Sequence, residues 1–161
     1  MAEDLWSDTY VVAISERPAL AALVAEWRVN AFSRPGGYDL TEMTTQILNP
    51  PDGLQETFVL FDGQQPAGTV ALVSFDLISR PDLTPWLAWL FVEPRFRGRG
   101  NAAHLVRHVE SYASVSVQTL WLYTSGAEDL YSRLNWRRVG MEEDYGHPVT
   151  LMRRDLPRHL A

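Results

Sequence analysis

Three arginines and two glycines crowd into six residues, Arg95-Phe96-Arg97-Gly98-Arg99-Gly100. Before them Leu87 to Val92 runs without a polar residue, as a strand buried on both faces does. Pro94 stops that strand, because proline has no N–H for a ladder. After them Ala102, Leu105, Val106, Val109, Tyr112 and Ala113 recur at the spacing of one helical face. The first N–H groups of such a helix have no partner within it and point into the turn. Glycine lets a ligand approach the backbone, while the helix dipole and the arginines add positive charge. The stretch is therefore read as a seat for an anion, phosphates above all.

Two phosphate binders could own such a turn. Gly98-x-Gly100-x-x-Ala103 satisfies the dinucleotide fingerprint, which also calls for an acidic residue about 20 positions on to hold the ribose. The next strand ends Trp121-Leu122-Tyr123-Thr124 and offers no carboxylate. No Gly-Lys-Ser/Thr follows the turn either, so a P-loop is absent. A nicotinamide-dinucleotide protein is the distant alternative.

Arg95-x-x-Gly98-x-Gly100 is similar to the acetyl-CoA signature Arg/Gln-x-x-Gly-x-Gly/Ala of the GNAT superfamily of N-acetyltransferases. The preceding Leu90-Phe91-Val92-Glu93-Pro94 and the long helix after the turn resemble that family too, and the likeness extends from about Thr9 to Leu156. Asn101 stands where the family usually carries an aliphatic residue, which touches the packing of the first helical turn and leaves the backbone contacts to phosphate alone. Tyr131-Ser132-Arg133-Leu134-Asn135-Trp136 resembles the family motif Tyr-x-x-x-Gly-Phe/Trp. Its asparagine replaces glycine at a helix end, and asparagine is the best substitute for the left-handed conformation.

The resemblance implies an acetyl-CoA-dependent N-acetyltransferase. The N–H groups of Arg97, Gly98, Arg99, Gly100, Asn101 and Ala102 would hold the pyrophosphate beside Arg95. Leu90, Phe91 and Val92 would pair their backbone with the pantetheine arm, which requires a splay between the fourth and fifth strands. Tyr131 matches the tyrosine that hydrogen-bonds or protonates the departing sulfur. A phenol of pKa ~10 is a sufficient acid for a thiolate whose conjugate acid lies near ~8.5. An alkylamine of pKa ~10.4 is almost wholly protonated at neutral pH, so a base or water relay is needed, with Glu93, Asp76 and Glu26 as candidates.

Around these residues the elements follow in order. Thr9 to Ser15 reads as a strand; a helix starts near Pro18 and runs to about Phe32 with Leu20, Leu23, Val24, Trp27 and Ala31 on one face. Ser33-Arg34-Pro35-Gly36-Gly37 breaks it, and a second helix spans Leu40 to Leu48 before Asn49-Pro50-Pro51-Asp52-Gly53. In the family this pair of helices walls the acceptor site; no motif here names the acceptor. Glu56 to Phe61 and Ala67 to Phe75 form strands joined at Asp62-Gly63. Val117 to Thr124 is the fifth strand, Ser125-Gly126 caps a helix from Ala127 to Leu134, and Trp136 to Glu143 with Val149 to Arg154 close as a hairpin near Gly146-His147-Pro148. The expected class is α/β (α+β): one domain over residues 1–161 with a mixed, largely antiparallel sheet of about seven strands and flanking helices.

Composition narrows the partners. A length of 161 residues suits one domain, and six tryptophans with 46% hydrophobic content suit a globular core. No apolar run reaches membrane length, and Met1-Ala2-Glu3-Asp4 is unlike a secretory leader, so a cytoplasmic protein without membrane partners is expected. Zero cysteines rule out disulfides, thiolate metal ligands and a cysteine nucleophile. His104 and His108 share a helical face but lack a third ligand, so no metal is expected. A net charge of −6, carried against fourteen arginines and no lysine, argues against nucleic acid. It favours a cationic acceptor: a polyamine, an aminoglycoside-like molecule or a peptide amine. A CoA-binding or sensing module without turnover is the alternative function. A homodimer and a longer acyl donor are left open.

Overall fold

The computed structural model describes residues 8–32 and 36–157. Its elements are β1 (Thr9–Ala13), α1 (Ala21–Ala31, after a 3-10 turn at Pro18–Leu20), α2 (Leu40–Leu48), β2 (Glu56–Asp62), β3 (Gln65–Val73), β4 (Trp86–Val92), α3 (Asn101–Ser114), β5 (Thr119–Thr124), α4 (Glu128–Arg133), β6 (Arg137–Asp144) and β7 (His147–Asp155). The Ser33-Arg34-Pro35 part of the expected break and the acidic start at Met1 lie outside the described residues. The sheet has seven strands in the order β1-β2-β3-β4-β5-β7-β6. Its neighbours are antiparallel except β4 and β5, which are parallel because α3 crosses over between them.

Local chemistry accounts for the ends. Asp39 accepts the Glu42 N–H at 2.8 Å and starts α2. Asn135 takes φ 70 just past α4, the conformation its sequence position called for. Two expectations shift. β3 ends at Val73 rather than Phe75, which is 65% exposed, so Asp76 sits on the loop and not at a strand end. The start of α4 is held by Thr124 Oγ1, which accepts the Ala127 N–H at 3.1 Å, and not by Ser125.

Strand alternation sends side chains to two layers. Under α3 and α4 lie Phe58, Leu60, Leu72, Leu105, Leu122, Tyr131 and Trp136. On the other face α1 and α2 bury Val24, Trp27, Met43 and Ile47 against Val59 and Phe61. Further along that face Leu77, from the 74–85 loop, packs with Trp86, Val149 and Leu151. On the α3 face one approach is close: a Cβ on Gly68 would lie 2.7 Å from Phe91 O and 3.2 Å from Leu105 Cδ1, so glycine is what lets α3 approach β3 and β4.

Candidate active site

β4 carries an extra residue midway. Ala71 faces Ala88 and Thr69 faces Phe91, so Trp89 and Leu90 together oppose Val70, and Trp89 adopts φ 59. This bulge bends the strand and increases its local twist. β4 and β5 then pair at a single position, Trp86 with Trp121, and diverge beyond it. Glu93 N–H donates to Ala67 O at 2.8 Å, so by alternation Phe91 turns its backbone to β3 while Val92 turns away, toward the gap. The splay that the strand-pairing role requires is present.

The turn after β4 is shaped by Gly98 (φ 75) and Gly100 (φ 81), the latter immediately preceding α3. His104 N–H donates to Gly100 O, the first bond of the helix. Among the described residues, the N–H groups from Gly98 to Ala102 donate to no backbone carbonyl, whereas that of Arg97 is spent on Pro94 O at 3.2 Å. Of the six N–H groups expected in the seat, five have no backbone carbonyl partner among the described residues, and that of Arg97 has one. Arg97 Nε donates to Val92 O at 2.8 Å and its guanidinium lies over Phe91. Arg95 and Arg99 stack on Phe96 at 4.6 and 5.5 Å. Asn101 is buried, and its Nδ2 donates to Phe96 O at 3.0 Å and to Asp62 Oδ2 at 3.4 Å. A polar tie replaces the aliphatic contact expected in the first helical turn.

A cavity of 1130 Å³ opens along β4 on the side away from the glycine turn. It draws residues from both layers: Arg28, Met43 and Trp89 from the α1/α2 face, Leu72, Leu87 and Tyr131 from the α3/α4 face. Its lining thus includes residues of both faces around β4, where β4 and β5 diverge.

The acetyltransferase (GNAT) domain profile matches residues 53–138, more than half of the 161-residue chain. The chain belongs to the GNAT acetyltransferase family. No curated protein matches it by sequence. Similar solved structures share the fold at low identity. An aminoglycoside 6'-N-acetyltransferase with coenzyme A is 16% identical, covers 93% of this chain and 99% of its own, and has a TM-score of 0.74. Spermidine N-acetyltransferase from Vibrio cholerae is 18% identical over 92% of this chain and 94% of its own, TM-score 0.69. Salmonella typhimurium yncA with its cofactor acetyl-CoA is 14% identical over 96% and 97%, TM-score 0.68.

In this GNAT chain Tyr131 lines the cavity from α4, its ring buried and 6.1 Å from Trp136 in an edge-on contact. Burial pushes its phenol up to about 12, so it stays protonated at neutral pH and able to donate. Glu110, buried on α3, fixes this corner: its carboxylate accepts from Trp136 Nε1 at 3.1 Å, Arg107 Nη1 at 2.9 Å and Arg154 Nε at 3.4 Å. The three carboxylates considered as bases are scattered. Glu93 accepts from Trp27 Nε1 at 2.6 Å and does not line the cavity; Glu26 is exposed on α1; Asp76 lines the cavity.

Several residues of the site escaped the sequence reading. Trp89 gives no signal, since a bulge inside a continuous apolar run leaves the residue types unchanged. Glu110 reads as one more polar position of α3. Arg28 does leave a trace: it stands four residues after Val24, on the apolar stripe of α1, where a charge needs a reason.

Proposed function

We propose that this GNAT chain binds acetyl-CoA along β4 and the glycine turn and transfers its acetyl group to a primary amine by direct attack. The observation that carries the reading is the bulge-driven splay of β4 from β5, with five N–H groups at one end and Tyr131 on the cavity at the other. The pyrophosphate would sit on the N–H groups of Gly98, Arg99, Gly100, Asn101 and Ala102, with Arg95, Arg97 and Arg99 around it. Leu90 and Val92 would pair with the pantetheine arm while Phe91 keeps to β3. The amine lone pair attacks the thioester carbon, the C–S bond breaks, and the thiolate takes a hydrogen bond or proton from Tyr131. The amine loses its proton to water or to Asp76, which among Glu93, Asp76 and Glu26 is the base on the cavity wall.

The relatives solved with an aminoglycoside- or spermidine-acetylating name support an amine acceptor. One continuous sheet under all three apolar clusters supports reading 1–161 as a single domain. No described helix is long and apolar enough to cross a membrane. With zero cysteines the protein suits the cytoplasm, its proposed compartment.

CoA at a hundredfold excess over its dissociation constant should stabilise the fold by about 2.7 kcal/mol, and NAD at the same concentration should not. Equal thermal shifts for the two would return the turn to dinucleotides. Thiol release from acetyl-CoA across an amine panel then tests transfer; tight binding with no release from any amine would favour the sensing module.

A further inference from the structure

We infer that Arg28 forms an anion subsite in the acceptor cavity, and that the acceptor carries a carboxylate beside its amine, an amino-acid-type zwitterion rather than a polycation. The inference rests on the amine-acetylation reading above and specifies its acceptor.

Arg28 lies on α1, 5% exposed, and lines the cavity. Its guanidinium sits 4.9 Å from the ring of Trp89, the bulge residue, one position before Leu90 and the splay. A guanidinium has five N–H donors in a rigid fork. Among the described residues it meets Thr57 Oγ1 at 3.1 Å and the thioether of Met43 at 3.8 Å, both uncharged and the second a weak acceptor. Its Nε is buried with no partner. Asp76 attracts it electrostatically, yet desolvation outweighs that attraction and pulls its pKa down to about 9. A buried charge so thinly compensated destabilises the fold on its own account.

A carboxylate matches the fork and would supply an acceptor for Nε and negative charge in addition to that of Asp76. The same cavity is lined by Glu56, Asp76 and Asp144, groups of the sign an ammonium needs, though Glu56 is held by Ser15 Oγ at 2.6 Å and the two aspartates have partners of their own. Both signs in one cavity fit a zwitterion. A polyamine would set like charge against the buried Arg28, which selects against it.

The test is a set of matched acceptors: L-amino acids, their carboxamides, their decarboxylated amines, and spermidine, assayed by thiol release and by thermal shift. The free acids should exceed amides and amines in kcat/KM by about 10- to 100-fold, the weight of a charged hydrogen bond. Arg28→Met should erase that preference, leave acetyl-CoA affinity unchanged and melt no lower than wild type, because it removes an undercompensated buried charge. A merely structural arginine would instead lower the melting temperature and spare the preference. Arg28→Lys keeps the charge without the fork and should recover only part of it. Spermidine or the amides serving as well as the acids would overturn the subsite. Should no amine be acetylated, the transfer reading fails, and equal thermal shifts from acids and amides would still decide against Arg28.

Discussion

The turn between β4 and α3 presents mainly backbone: two glycines at positive φ, a run of N–H groups without carbonyl partners, and a helix end behind them. The cavity across β4 is built of side chains brought together from far apart: Arg28 from α1, Met43 from α2, Asp76 from a loop, Tyr131 from α4 and Asp144 from β6. A backbone site demands a few residue types at fixed spacing, because only glycine reaches those dihedrals freely. A side-chain site demands only that the fold converge, and almost any residue can stand on its wall. The turn can therefore be shared by a whole family while the wall changes its acceptor.

Tyr131 belongs to the cavity and not to the turn, and its loss should have the largest effect. Tyr131→Phe keeps the ring on Trp136 and should lower turnover by about 10²–10⁴ with a nearly unchanged KM for acetyl-CoA. Because burial raises the phenol from its ordinary 10 to about 12, it remains a donor throughout the neutral and mildly alkaline range. The associated stability is complete below pH 10 and is lost as pH rises toward 12. Wild-type turnover in the phenylalanine variant, under conditions where chemistry limits the rate, would reduce Tyr131 to packing.

The second prediction separates the regions. Gly100→Val forces a β-branched residue to φ 81 and pushes a side chain into the turn; a Cβ there meets no protein atom within 4 Å, so the fold should survive with some strain. Acetyl-CoA affinity should fall by about 100-fold, the weight of one or two charged hydrogen bonds, while Arg28→Met leaves it alone. Calorimetric titration showing equal affinities for wild type and Gly100→Val would move the phosphates elsewhere.

The smallest effect concerns what holds the regions in register. Gly68→Ala drives a methyl to 2.7 Å from Phe91 O and 3.2 Å from Leu105 Cδ1. Overpacking at such a site costs about 1–3 kcal/mol. Urea unfolding should show that loss at an unchanged slope, and a midpoint equal to wild type would mean that α3 has slack over β4.

The sequence alone determined the glycine turn, the strand and helix flanking it, and the left-handed Asn135 after α4, because each follows from dihedral preference and hydrogen-bonding over a few residues. The resemblance of Tyr131 to Trp136 to a family motif also marked Tyr131, which lines the cavity. Tertiary structure decided the rest. The bulge at Trp89 exists because β4 must pair with β3 yet leave β5, a balance among three strands that no local pattern encodes. Asn101 is buried in place of an aliphatic residue because Phe96 O and Asp62 lie where its amide can reach them. Arg28, Glu93 and Asp76 look alike as charged letters. Only packing makes the first a buried cation on the cavity, the second a clamp on Trp27 and the third a carboxylate lining the same cavity and attracting that cation, since burial and partners rather than residue type set what a charge can do.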